Sequence, residues 1–257
     1  MGALHDGHLA LVAEARSRVD RVIVTIFVNP LQFNQSTDFD AYPRSVDDDL
    51  AACQRIGVDA VYAPTAATMY PTGFQTHVEP GDLADQLEGA MRPGHFRGVA
   101  TIVTKLFGAT RPDLAVFGQK DFQQLAVVRR MVADLDLGVE IIGLPTVRET
   151  DGLAKSSRNE RLTAADRKAA VCISRSLTAA QQSYRAGEHD TKALAEVASE
   201  VIRQEARARL EYLEVVDTDT LRAVERVDSS AVMLVAVWFG DVRLIDNCVL
   251  SSRTDQR

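Results

Sequence analysis

Between Arg21 and Val147, short β-branched runs alternate with longer amphipathic ones, and this rhythm restricts the fold more than any single motif does. RVIVTIFVNP (Arg21 to Pro30) reads as a strand buried on both faces and stopped by Asn-Pro. A helix follows over Asp47 to Ile56; its opening aspartates Asp47 to Asp49 suit the positive end of a helix dipole better than they suit a metal cluster. VDAVYAP (Val58 to Pro64) is the next strand, and Gly98 to Gly108 the next helix. LAVFG (Leu114 to Gly118), a helix over Asp121 to Leu135 and the strand VEIIGLPTV (Val139 to Val147) complete the series. Strand and helix in this order predict a parallel sheet with helices on both faces, a Rossmann-like, doubly wound α/β domain over residues 1–147.

The pattern changes after Val147. Long helical patterns cover Ala164 to Arg185 and Thr191 to Arg209, and three strands follow at Leu210 to Val216, Val232 to Trp238 and Val242 to Leu250. Residues 148–257 are therefore expected to form a smaller α+β domain. The 257-residue chain is long enough for two modest cores. A net charge of -7 and a pI of about 5.3 argue against nucleic acid as the main partner, while a local basic pocket for a small anion stays compatible. The apolar run AVMLVAVWF is far short of the roughly 20 residues of a membrane span, and reads as a buried strand. Cys53, Cys172 and Cys248 have no metal or redox spacing, which fits burial in a reducing compartment. With no basic start followed by an unbroken apolar stretch, a cytoplasmic location is expected.

Four stretches could carry chemistry. In MGALHDGH, His5 and His8 stand three apart where the apolar-periodic run Leu9, Leu11, Val12, Ala15 begins. That spacing puts both imidazoles on one helix face, at an end that already favours an anion. Histidines there add donors that can follow charge developing on phosphate. The plain alternative is a pair of capping or surface histidines, and a metal pair lacks a third ligand nearby in sequence. In GQKDFQQL (Gly118 to Leu125), a glycine ends a strand, and Lys120 and Asp121 lead into a helix, which is where open α/β sheets bind ligands. Lys120 can meet phosphate charge, and Asp121 can hydrogen-bond or cap the helix. GLAKSSRN (Gly152 to Asn159) is a donor-rich loop suited to triphosphate oxygens, placed to open the second domain. FVNPLQFNQSTDFDAYPR (Phe27 to Arg44) follows a strand, and its Asn29 and Gln32, with Gln124, are neutral groups able to orient a hydroxy acid.

Taken together and in this order, these stretches resemble the pantothenate synthetase (pantoate–β-alanine ligase) family of the nucleotidyltransferase superfamily. MGALHDGH is similar to its HxGH-type motif, IFVNPLQF to its pantoate segment, RPGHFRGV to its mobile loop, and FGQKDFQQL and PTVRETDGLAKSSRN to its ATP motifs. YLEVVD and RLIDN extend the resemblance into the second domain. The resemblance implies an AMP-forming ligase that uses ATP and Mg²⁺ in two steps, through a pantoyl adenylate, and that forms a homodimer. It implies that Met1, Gly2, Ala3, Leu4, His5, Asp6, Gly7 and His8 line the ATP site, together with Gly118, Gln119, Lys120, Asp121, Val147, Lys155, Ser156, Ser157 and Arg158. By the same pattern His8 is the proton donor, while Gln32 and Gln124 hold pantoate and Gln32 also helps place β-alanine. His5, Lys120, Ser156, Ser157 and Arg158 offset charge, and no side chain is assigned to a metal.

The sequence departs from the pattern at Gln119 (glutamate expected), Phe122 (tyrosine expected) and Lys155, where an apolar residue is usual. The rival readings are a nucleotidylyltransferase that stops after transfer and a nucleotide-binding remnant without turnover. The resemblance also implies a segment ahead of Met1 that ends in a central strand. Without it, the edges at Arg21 to Val28 and Leu114 to Phe117 are expected to lack partners, and the chain alone to be unstable or inactive.

Overall fold

The computed structural model describes residues 1–33 and 45–251, in two compact units, Met1–Pro145 and Thr146–Arg257. Residues 34–44 of the FVNPLQFNQSTDFDAYPR stretch lie outside the described residues.

The first unit runs α1 (Asp6–Arg16), β1 (Ile23–Thr25), α2 (Val46–Arg55), β2 (Ala60–Tyr62), α3 (His95–Thr110), β3 (Leu114–Gly118), α4 (Phe122–Asp134) and β4 (Glu140–Leu144). All strand pairing in it is parallel: Ile23 stands opposite Ala60, and Leu114 opposite Glu140. Among the described residues no strand joins β1 to β3, so the expected continuous sheet is present as two parallel pairs. On the side of β1 away from β2 stands the backbone of Met1. Its ammonium donates to the Thr25 carbonyl (3.2 Å), and its own carbonyl accepts from the Phe27 N–H (2.8 Å).

Two expectations for this unit are corrected. The strand at Arg21 to Pro30 is not buried on both faces. Val22, Val24 and Ile26 pack into a cluster with Val12 and Cys53, whereas Ile23 on the other face is 44% exposed. It is also short, because its partner β2 supplies only three residues of register. RPGHFRGV is not a loop: Gly94, in the left-handed region at φ 80°, turns the chain into α3, and His95 to Val99 form its first turns. Phe96, Val99, Ala100 and Val103 keep the i, i+3, i+4, i+7 spacing and bury against Val127, Val128 and Met131 of α4.

The second unit contains α5 (Ala164–Ala169), α6 (Cys172–Arg185), α7 (Thr191–Arg203) and an antiparallel sheet of β5 (Ala208–Asp217), β6 (Ser230–Phe239) and β7 (Val242–Ser251). The single helix expected over Ala164 to Arg185 is two, and α7 stops at Arg203 instead of Arg209. Ala208 and Arg209 pair with Phe239 and Trp238, so sheet pairing overrides local helical propensity there. The apolar run expected as a buried strand is β6, the middle strand, nearly all of it buried. Leu194, Ala198 and Ile202 of α7, with Ile173, Leu177 and Ala180 of α6, complete its core. Cys53, Cys172 and Cys248 are buried and free. Among the described residues no helix is long and apolar enough to cross a membrane.

Candidate active site

The HDGH stretch starts α1. His5 is the N-cap, and the two histidines bond reciprocally to the helix start: His5 Nδ1 accepts from the Gly7 N–H (3.1 Å) and His8 Nδ1 accepts from the His5 N–H (3.3 Å). The capping alternative is therefore met. It also prepares the site, because a ring nitrogen that accepts carries no proton, which puts the ring proton of each histidine on Nε2. The rings are close, with centroids 4.1 Å apart. Burial, then the neighbouring His5, drives His8 down to about 3. At neutral pH it is thus a hydrogen-bond donor through Nε2–H and not an imidazolium acid.

Opposite His8 stands the turn after β3. Lys120 and Asp121, on the 3-10 turn Gln119–Asp121, are close enough to act on its titration with opposite signs. The Lys120 Nζ stands 3.6 Å from Asp121 Oδ1. Asp121 makes no side-chain cap on α4, so that alternative is not met. A Cβ on Gly118 would meet nothing within 4 Å, so the carboxyl end of β3 faces open space. Of the departures here, Gln119 donates to the Gly143 carbonyl (3.3 Å) and Phe122 is buried.

Asp49 is the residue that sequence reasoning missed. It does stand in the first turn of α2, but it is 2% exposed, and its carboxylate accepts from the Ala3 N–H (2.9 Å) and the Leu4 N–H (2.6 Å). These bonds hold Ala3 at φ 51°, a conformation that alanine otherwise avoids. Gly2, Ala3 and Leu4 are thereby fixed ahead of His5. The signal was spacing: Asp49, Ala52, Cys53 and Ile56 fall at i, i+3, i+4, i+7, so a carboxylate stands on the apolar stripe of α2. Asp49→Asn keeps the shape but offers one acceptor to two N–H groups. We expect a loss of about 1–3 kcal/mol in stability and slower adenylate formation, read by denaturant unfolding and pyrophosphate–ATP exchange. Wild-type values in both would show that other contacts hold the loop.

The amides form a second group. Asn29 is 2% exposed and fully used within the protein. Its Nδ2 donates to the Gln32 Oε1 (3.2 Å) and the Gly98 carbonyl (3.0 Å), while its Oδ1 accepts from the Tyr70 hydroxyl (2.7 Å) and the Leu31 N–H (3.3 Å). Both donors and both acceptor positions of Asn29 are filled, which ties its amide to that of Gln32. Gln32 Oε1 is thereby fixed by Asn29. Gln123 and Gln124 divide in the same way. Gln123 is buried and bonds the Leu83 and Gln86 carbonyls (2.8 and 2.7 Å), whereas Gln124 is half-buried on the first turn of α4.

Val147, Lys155, Ser156, Ser157 and Arg158 lie in the second unit. The Lys155 N–H donates to the Val147 carbonyl (2.9 Å), and Arg148 holds this hairpin to β7 through Asp246 (2.6 and 3.1 Å). The SSRN stretch is a 3-10 turn, Ser157–Arg161, whose N-cap Ser156 accepts from the Arg158 N–H (3.3 Å). Lys155 stands 3.6 Å from the Glu149 carboxylate, which offsets the charge it brings. Among the described residues no group of three or more His, Cys, Asp or Glu side chains could cage a metal ion.

Parallel strand pairs, a histidine-capped helix start and a lysine turn at the end of β3 define a nucleotide-binding α/β protein of the HxGH type. The family model for pantoate-beta-alanine ligase matches residues 1–249. A pantothenate synthetase of Roseiflexus castenholzii is 52% identical over 252 residues, covering 98% of this chain and 91% of its own. The crystal structure of pantothenate synthetase from Thermus thermophilus matches with a TM-score of 0.93 at 46% identity, over 96% of this chain and 90% of that one. A pantoate-beta-alanine ligase from Francisella tularensis, complexed with beta-gamma ATP and beta-alanine, matches at 0.77 and 34% identity over 96% and 86% of the two chains. This chain belongs to the pantoate–β-alanine ligase family.

Proposed function

We propose that this chain performs its family's reaction, the ATP-dependent condensation of pantoate with β-alanine, with the labour divided as follows. A pantoate carboxylate oxygen attacks the α-phosphorus of ATP; the bond to the β-phosphate oxygen breaks, giving pantoyl adenylate and pyrophosphate. The neutral amine of β-alanine then attacks the acyl carbon, the bond to the phosphate oxygen breaks, and AMP leaves as the amine loses its proton. The observation that carries this reading is the reciprocal cap on α1, which sets Nε2–H as the ring donor of both histidines, with Lys120 near His8. Donors fixed before the reaction cost no reorganisation as charge develops on phosphate. The second step is chiefly a matter of holding the amine beside the acyl group.

In this reading Met1 to His8 and Gly118 to Asp121 of the first unit bind ATP, and Val147 with Lys155 to Arg158 of the second are assigned to the nucleotide on the family resemblance. Gln32 and Gln124 hold pantoate, with Gln32 also placing β-alanine. Mg²⁺ would enter with the nucleotide and offset phosphate charge beside Lys120. A cytoplasmic homodimer completes the proposal. Gln32→Ala and Gln124→Ala should each raise the pantoate KM about 5-fold to 150-fold, the equivalent of about 1–3 kcal/mol for an unpaired polar group, with the ATP KM near wild type. Equal losses for both substrates would mean general damage to the fold and would count against the assignment.

A further inference from the structure

The reaction as assigned does not use His95, although this histidine is 8% exposed and touches the backbone of an assigned substrate residue. Its Nδ1 lies 2.7 Å from the Gln32 carbonyl oxygen. A carbonyl can only accept, so the proton is on Nδ1 and the Nε2 lone pair faces Arg92 Nη1 at 3.4 Å. The Arg92 Nη2 donates to the same carbonyl at 3.1 Å. One residue earlier on the turn, the contact tightens: a Cβ at Gly98 would lie 2.4 Å from the Leu31 carbonyl oxygen, so α3 and the turn Pro30–Gln32 meet backbone to backbone. Asn29 closes the far side by donating to the Gly98 carbonyl (3.0 Å). The turn that carries Gln32 is thus tied to the start of α3 at both of its ends.

We propose that His95 is a positioning residue for the hydroxy-acid site: by donating Nδ1–H to the Gln32 carbonyl it fixes the direction in which the Gln32 carboxamide meets its substrate. The inference rests on the assignment of Gln32 to pantoate. Three features support it. His95 precedes the buried Phe96 on the same helix turn, and their rings meet edge to face with centroids 4.9 Å apart, so the imidazole has little freedom. Burial, then the Arg92 charge, pushes it down to about 4, which keeps one ring proton in place at neutral pH. The Gln32 carboxamide is tied to Asn29 at one end and its backbone carbonyl to His95 and Arg92 at the other, so loss of the His95 bond leaves a folded turn with the shorter of the two contacts to that carbonyl gone.

The test compares His95→Phe with His95→Asn, whose Nδ2 can stand near the position of Nδ1, in pyrophosphate–ATP exchange with pantoate varied. His95→Phe should raise the pantoate KM about 10-fold, in the range of a lost buried hydrogen bond. The ATP KM should shift less than about 2-fold, and His95→Asn should recover most of the loss. A His95→Phe protein with an unchanged pantoate KM would overturn the inference, as would an equal loss for both substrates that asparagine does not rescue. Gln32→Ala serves as the control. If it leaves the pantoate KM unchanged, the assignment beneath the inference fails; if it raises that KM while His95→Phe does not, only the role of His95 fails.

Discussion

Replacing His8 with alanine should lower pantoate-dependent pyrophosphate–ATP exchange by about 100-fold or more, the usual cost of deleting a donor aimed at developing charge, with a much smaller loss in ATP affinity. The reason lies in the cap. His8 Nδ1 is occupied by the His5 N–H, so Nε2–H is aimed outward from the first turn of α1 without any proton being taken up. Because His8 is held down to about 3, the exchange rate should show no break near pH 6.5 from this residue. Asparagine at position 8 should not restore the wild-type rate, since its shorter side chain cannot both accept from the His5 N–H and reach as far as Nε2. Near-normal exchange in His8→Ala would reduce HDGH to a helix cap.

Mild acid should unfold the protein more readily than the carboxylates alone would allow. His8 and His95 have folded values of about 3 and 4 against an ordinary 6.5, so the unfolded chain binds protons at both sites that the folded chain refuses. Their contribution to stability is fully present above pH 6.5 and falls as pH drops from 6.5 toward 4. Two such groups give a slope of up to about 3 kcal/mol per pH unit in that window, a large share of a typical stability of about 5–15 kcal/mol. The depressed carboxylates Asp59, Asp151, Asp166 and Asp217 act in a lower window, losing their contribution only as pH falls below the usual carboxylate range. Denaturant unfolding between pH 7.5 and 4.5 should therefore weaken before the carboxylates titrate, with the imidazole resonances of His8 and His95 still neutral at pH 5. A flat stability across this range, or either imidazole titrating near 6.5, would contradict the burial argument.

What could be read from the sequence, and what could not, follows from the range of the interactions. β6 was legible because nine apolar residues in a row have no other economical place than the middle of a sheet. The helix over Phe122–Asp134 and the lysine turn before it were legible because their periodicity and the glycine of Gly118 are local. The length of β1 was not, since only the short register with Ala60–Tyr62 limits it. Nor was the end of α7, where Arg209 is claimed by Trp238 from 29 residues away in the chain. The site divides along the same line. His5 and His8 announce themselves by spacing, but the groups that hold the site act across long separations: Asp49 on Ala3 and Leu4, Gly98 on Asn29, His95 on Gln32. Nor does the sequence reveal that the Asn29 amide is already engaged by Gln32 and Tyr70.

The central claim is that one protein performs both adenylation and ligation, and AMP release measured with each substrate in turn tests it most directly. With ATP and Mg²⁺ present, the account predicts AMP and pantothenate in equal amounts only when pantoate and β-alanine are both supplied. With pantoate alone it predicts pyrophosphate–ATP exchange and no sustained AMP release. Steady nucleotide transfer that ignores β-alanine would instead place the chain among nucleotidylyltransferases, and ATP binding with no turnover under any pairing would contradict the account outright.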